Sequence, residues 1–388
     1  MTMQIEQQLN QQLKQQLKQQ TKLLKPLESA AGQAVKKVAV VGATGYTGQE
    51  LVRLLLQHEL TEVHSAVSQS NTGKPFSSVY PGFQKFTDLV CAEADLADLE
   101  VLAEQVDVLF LALPHGHAAA KVTPSILKKC KVIDLSADFR LKDQTQYEQW
   151  YKFAHPNPDL LEQAVYGLPE LNRQAISQAQ LIANPGCYAT CSILTLAPLL
   201  KAKLIDPDTI IVDAKSGVSG AGRSATLGTH FNECNESIKP YSVGTHRHTP
   251  EIEQELGAWT EKPFFASFTP HLVPMNRGIL ITAYASLISN ISKEDLDQIY
   301  NSFYGDELFI RLCADSEGLY NQPETRWVKG SNFCDIGVTI DSRTRRVIAA
   351  GALDNLMKGA AGQAIQNMNL LFDWPEATGL KQLPMFPS

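Results

Sequence analysis

Two kinds of apolar pattern alternate along the first half of the chain. Short runs rich in β-branched residues occur at 38–41, 63–67, 106–113 and 131–135, and amphipathic or small-residue stretches such as 49–57 lie between them. The short runs predict strands and the stretches predict helices, because side chains alternate across a strand but share a helix face at spacings of three and four. Strands alternating with helices predict a parallel, doubly wound sheet with ligands at the carboxyl ends of its strands.

The second half is patterned differently. An apolar run ends at Ala183, a helix follows through 193–200, and a strand is predicted at 209–213. Strands at 268–275 and 278–287 flank Asn276-Arg277, and 338–341 with 347–350 form a hairpin, so this half predicts an α+β unit with a mixed or antiparallel sheet. The last predicted helix, 354–371, carries Gly359, Ala360, Ala361, Gly362 and Ala364 and can approach another element closely. Before all this lies a glutamine-rich extension, 1–36, in which Leu9, Leu13 and Leu17 share one face of a weak amphipathic helix. It lacks the apolar core of a secretory signal and the arginines of a transit peptide, so a solvated or loosely docked extension is expected.

Composition narrows the function classes. A chain of 388 residues, 44% hydrophobic and 19% charged, has material for about two domains with real cores. The net charge of −7 provides no basic field for nucleic acid, and no apolar run is long enough to span a membrane. The seven cysteines are odd in number, scattered and without a C-x-x-C pair, which argues against a disulfide framework or zinc site and for a reducing cytoplasm.

Four stretches carry candidate chemistry. The first is Gly42-Ala-Thr44-Gly45-Tyr46-Thr47-Gly48, placed between a strand and a helix, where backbone N–H groups at a helix start can hold a pyrophosphate. The second predicted strand ends in Ser68-Gln69-Ser70-Asn71-Thr72-Gly73-Lys74. No carboxylate awaits a ribose 2′-hydroxyl there, and Ser68, Ser70 and Lys74 suit a 2′-phosphate, which points to NADP(H). The third is Ala183-Asn184-Pro185-Gly186-Cys187, which puts a thiol at a helix start and predicts a stabilised thiolate, hence a nucleophile. The fourth is His246-Arg247-His248-Thr249-Pro250-Glu251, where the two histidines offer a base and Thr-Pro opens a helix. Spacing alone leaves open which histidine faces the thiol. It supplies no further ligands for a metal, so no metal is expected. His115 and His117 follow the third strand and are held as loop residues, while Arg140 is either a phosphate clamp or a surface salt bridge. The loop from Lys215 to Arg223 is rich in glycine and hydroxyls, including Ser219, and could offer N–H groups and charge to an anion.

Taken together, GATGYTGQEL (42–51), LALPHGHA (111–118), DLSADFR (134–140), YGLPELNR (166–173), ANPGCYAT (183–190), KSGVSGAGR (215–223), HRHTPEIEQ (246–254) and HLVPMNRGI (271–279) resemble the N-acetyl-γ-glutamyl-phosphate reductases of arginine biosynthesis, relatives in fold of aspartate-semialdehyde dehydrogenase. The resemblance implies a Rossmann-type NADP-binding domain, 37–186 and 355–388, closed by the terminal helix, and a catalytic and dimerisation domain, 187–354. It implies Cys187 as the acylated nucleophile and the His246/His248 pair as base. A small-molecule acyl phosphate is the implied substrate, and a dimer or tetramer the implied assembly. Within that reaction Asn184 and the Cys187 N–H are candidates for the oxyanion, and Arg140 with Lys215 or Ser219 for the leaving phosphate. The competing expectations are a related reductase of aspartyl or aminoadipyl phosphate and a non-catalytic NADP sensor.

Overall fold

The computed structural model describes residues 34–93, 96–313 and 322–387. The leucine-faced helix expected in the extension lies outside the described residues. Two seven-stranded sheets make up the fold. The first comprises β1 (Lys36–Val41), β2 (Thr61–Val67), β3 (Cys91–Ala92), β4 (Val108–Leu111), β5 (Lys131–Asp134), β6 (Val165–Tyr166) and β7 (Leu181–Ala183). Its order is β3-β2-β1-β4-β5-β7-β6, and every pairing is parallel. The chain reverses direction across the sheet between β1 and β4, and this switch point opens a crevice at their carboxyl ends.

The second sheet comprises β8 (Ile211–Gly217), β9 (Lys239–Pro240), β10 (Ser267–Val273), β11 (Ile279–Ser286), β12 (Ile310–Leu312), β13 (Cys334–Asp341) and β14 (Arg346–Leu353). It runs β12-β13-β14-β11-β8-β10-β9, with β10/β8 and β12/β13 parallel and the other pairings antiparallel. The fold is thus the expected parallel α/β unit beside a mixed-sheet α+β unit.

Five helices position the site: α1 (Tyr46–Leu55), α2 (Pro169–Gln178), α3 (Cys187–Lys201), α4 (Thr249–Gly257) and α5 (Gly362–Leu371). Helix α3 is buried on all sides from Tyr188 to Leu200, because it lies between the second sheet and α4. Met357, Ala361, Ala364, Ile365 and Met368, late in the chain, share one core with Val38 and Val40 of β1 and Leu51 of α1.

Three local expectations are corrected. The residues after Pro114-His115-Gly116-His117 form turns rather than a helix, because the Asp138 carboxylate accepts the Gly116 N–H at 2.7 Å and the Ala119 N–H at 2.9 Å in place of helical carbonyls. Strand β8 runs on to Gly217, so Lys215 lies within the sheet and not in a loop. The terminal segment opens with a π-helical turn, Met357–Ala361, since Asp354 captures the N–H groups of Leu356 and Met357 before α5 begins.

Polar contacts cross the seam between these layers. Lys358, wholly buried, donates to Glu170 of α2 at 2.6 Å and to Gln366 of α5 at 2.8 Å. Lys358→Met leaves the Glu170 carboxylate buried without its cation, and removal of one partner of such a pair costs about 3–5 kcal/mol. Unfolding by urea should show that loss for Lys358→Met and its substantial recovery when Glu170→Met is added. A single variant as stable as the double would contradict the account.

Candidate active site

The site lies where the carboxyl ends of the first sheet meet the second unit. One cleft of about 1340 Å³ is lined by the glycine turn at 42–48, the tip of β2 at 68–71, the Gly186-Cys187 turn and the 246–248 histidines.

At the cofactor end the sequence is constrained by close approach. A Cβ on Gly42 would stand 2.2 Å from the Ala112 carbonyl oxygen, and one on Gly48 would stand 2.2 Å from the Gly42 oxygen. Both positions must therefore be glycine for β1, β4 and α1 to converge. Helix α1 begins at Tyr46 with no side chain capping it, so its first N–H groups face the cleft. A short hydroxyl bond, Thr44 Oγ1 to Ser68 Oγ at 2.6 Å, ties the turn to the tip of β2. Ser70 and Asn71 line the same wall; Lys74 bonds Asn71 Oδ1 at 3.3 Å and lies outside the lining. These features fit a dinucleotide: a glycine cradle, unpaired helical N–H groups and a neutral hydroxyl-rich tip.

At the nucleophile end, Gly186 caps α3 and Cys187 begins it. Glu251, in the first turn of α4 and 1% exposed, accepts the Gly186 N–H at 2.8 Å and the Tyr166 hydroxyl at 2.7 Å through one oxygen. Its other oxygen meets Arg140 at 3.4 Å. Arg140 also donates to the Asn184 carbonyl at 2.8 Å and the Leu135 carbonyl at 3.0 Å, so it is a buried brace that still lines the cleft. Sequence reasoning missed Glu251; its only signal was an acidic residue three positions after His248, as ordinary helix starts also have.

Burial pushes the Cys187 thiol up to about 11, outweighing Arg140 and the N–H groups of Tyr188 and Cys187, which pull it down, while Glu251 pushes it further up. The thiolate expected from the helix start is thus a protonated thiol at neutral pH. The histidines differ. His248 presses its Nε2 against Gly186, so closely that a Cβ there would stand 2.3 Å away, and its Nδ1 is buried without a partner. Burial, with the repulsion a charged ring would meet from His246 and Arg140, holds its pKa well below the usual histidine value. His246 accepts the His248 backbone N–H on Nδ1 at 3.1 Å and is boxed by Tyr188, Tyr241 and Phe268. Burial lowers it to about 4.

The remaining candidates separate. Ser219 lines the cleft, its hydroxyl accepting from Asn355 at 2.9 Å. Lys215 does not: alternation along β8 turns Ser216 into the cleft and Lys215 away, where it pairs with Asp213 at 2.7 Å. Asn184 is engaged elsewhere, donating to the Ala360 carbonyl at 3.2 Å and accepting from Asn367 at 3.1 Å. Arg247 lines the cleft with its guanidinium 5.6 Å from the Tyr151 ring and no carboxylate partner among the described residues. Among the described residues no cluster of three or more metal-ligating side chains occurs, and no helix is long and apolar enough to cross a membrane.

Cys187, His246 and His248 thus line one cleft with the glycine turn, and the chain that builds it has relatives. Residues 37–179 match the semialdehyde dehydrogenase NAD-binding domain and 187–355 the semialdehyde dehydrogenase dimerisation domain. Proteins named N-acetyl-γ-glutamyl-phosphate reductase are 53% identical in Lachnoclostridium phytofermentans and 55% in Lachnospira eligens, each match covering 90% of this chain and 99% of the relative. The chain belongs to the N-acetyl-γ-glutamyl-phosphate reductase family. In fold it resembles aspartate semialdehyde dehydrogenase II of Vibrio cholerae, solved with ASA, at a TM-score of 0.66 and 20% identity over 88% of this chain and 99% of that one. It also resembles the Candida albicans aspartate semialdehyde dehydrogenase solved with NADP, at a TM-score of 0.57 and 18% identity over 87% of this chain and 98% of that one. The ionisation of Cys187 can be read directly from its reactivity. Alkylation of Cys187 by iodoacetamide should rise through pH 8–10 toward a midpoint at about 11. Glu251→Gln removes a negative neighbour and should move that midpoint down; a midpoint unchanged or raised would contradict the role given to Glu251.

Proposed function

We propose that the protein reduces N-acetyl-γ-glutamyl phosphate to N-acetylglutamate 5-semialdehyde and phosphate, with NADPH as reductant, through a thioester on Cys187. The observation that supports this is the approach of His248 Nε2 to Gly186, the residue before Cys187, with His248 and Cys187 lining one cleft.

His248 is the base we assign. His246 spends Nδ1 on a backbone N–H, which leaves a hydrogen on its other nitrogen and no free lone pair to take a proton. As the Cys187 sulfur attacks the γ-carbonyl, His248 takes the thiol proton and passes it to the departing phosphate. The phosphate is drawn by Arg140 and Arg247, with Ser219 as a neutral partner. The N–H groups of Cys187 and Tyr188 at the start of α3 hold the oxyanion in place of Asn184. The turn at 42–48 and the tip at 68–71 would hold the dihydronicotinamide cofactor, which would supply the hydride needed at the thioester carbonyl. His248, recharged from solvent, then returns a proton to the sulfur as the aldehyde leaves. The N-acetyl group keeps the product from closing on its own amine.

We assign the dinucleotide unit to 37–186 and 355–388 and the catalytic unit to 187–354, with the second sheet as the surface of a homodimer or tetramer. Cys91, Cys130, Cys187, Cys191, Cys234 and Cys334 are free thiols, which supports a reducing cytoplasm.

The test runs the reaction backwards because the acyl phosphate is labile. NADP+ reduction with N-acetylglutamate semialdehyde should require inorganic phosphate and vanish in Cys187→Ser. His248→Gln should lower kcat about 100- to 10,000-fold, and His246→Gln far less. Turnover with aspartate semialdehyde instead would move the substrate, and NADPH binding without turnover on any aldehyde would make the chain a sensor.

A further inference from the structure

The neutral tip of β2 poses a problem for a phosphate. Ser68, Ser70 and Asn71 provide hydrogen bonds but no positive charge, and Lys74, the cation nearest in sequence, bonds Asn71 and does not line the cleft. A cation arrives from the other unit instead. Arg223, at the end of the loop that follows β8, crosses the cleft and donates from Nη1 to the Thr44 carbonyl and to the Tyr80 hydroxyl, both at 2.9 Å. Its guanidinium lies 4.8 Å from the centre of the Tyr80 ring, within reach of a cation–π contact. Thr44 is the residue whose hydroxyl bonds Ser68 at 2.6 Å and receives a 3.4 Å contact from Asn71. Arg223, Tyr80, Thr44, Ser68 and Asn71 therefore form one connected group. Among the described residues no carboxylate pairs with Arg223, and both it and its Nη2 and Nε donors remain available to an anion in the cleft it lines.

We propose that Arg223 is the specificity residue for the 2′-phosphate of NADP(H), supplied to the dinucleotide unit by the catalytic unit. The assignment rests on the NADPH reading above. A phosphate monoester on the ribose takes charge-assisted bonds from the guanidinium and neutral bonds from Ser68, Ser70 and Asn71. A ribose hydroxyl gains nothing from the guanidinium, so selectivity follows. The geometry also makes cofactor binding a link between the two units, since the same arginine contacts the glycine turn.

Binding titrations of the full chain, read by quenching of tryptophan fluorescence, test this without turnover. The ligands are NADPH, NADH, 2′-AMP and 5′-AMP. In Arg223→Gln the affinity for NADPH and 2′-AMP should fall about 10- to 100-fold, while NADH and 5′-AMP change less than about twofold. Arg223→Lys should fall between, and both variants should keep the wild-type melting temperature because the side chain is exposed. Equal losses for NADPH and NADH would place Arg223 on the pyrophosphate or on the seam and overturn the assignment. A variant that keeps the NADPH preference of the wild type would also overturn it, leaving the cofactor reading intact. A wild-type chain indifferent to the 2′-phosphate would overturn both.

Discussion

The placement of the nucleophile depends on one buried carboxylate. Glu251 joins a hydroxyl of the first sheet, Tyr166, to the N–H of Gly186, and Arg140 neutralises it while holding the carbonyl of Asn184 in the same turn and that of Leu135 after β5. Each partner comes from a different segment of chain: β6, the turn before α3, the loop after β5 and the first turn of α4. A buried charge this fully engaged cannot relax without exposing several polar groups at once, so the turn that presents Cys187 is rigid. The same carboxylate fixes where the histidines stand, since His248 directly precedes its helix.

That rigidity has an electrostatic cost, and the cost explains the pairing of groups. Burial and the Glu251 charge both disfavour thiolate, while burial and the neighbouring cations disfavour imidazolium. A preformed thiolate–imidazolium pair is therefore not the resting state. The balance favours a neutral thiol and a neutral imidazole, and under the proposed mechanism the proton moves as attack on a carbonyl develops charge that the α3 N–H groups can meet. The arrangement protects the cysteine from indiscriminate alkylation and oxidation, which act on thiolate.

Much of this was legible in the sequence where chemistry demands a particular residue type. The glycine turn, Cys187 after Pro-Gly and the two histidines are local patterns, and the structure brings them to one cleft. What escaped depends on position rather than type. Lys215 and Ser216 are adjacent, and only the extent of β8 decides which of them enters the site. Asn184 looks like an oxyanion donor until the Ala360 carbonyl accepts from its Nδ2 and Asn367 of α5 donates to its Oδ1, contacts that reach across nearly half of the chain. Glu251 resembles any acidic residue at a helix start, because its partners Tyr166 and Gly186 are invisible to a local window. The choice between His246 and His248 likewise turns on a backbone N–H, which no residue name records.

The two units are tied at both ends of the cleft, by different means. Near the nucleophile the tie is steric: Gly359 lies against Cys187 so closely that a Cβ would stand 2.7 Å from the cysteine Cβ, which accounts for the run of small residues in the terminal segment. Near the cofactor it is ionic: Arg277 of the second unit reaches Glu50 of α1 at 2.8 Å and Asp354 at 3.5 Å. Close packing tolerates little displacement, and an ion pair whose carboxylates are almost wholly buried is costly to separate. Both ties therefore hold the two units in one arrangement around the cleft. Under the proposed mechanism that fixed seam keeps the Gly186-Cys187 turn against His248 through both steps on the one cysteine.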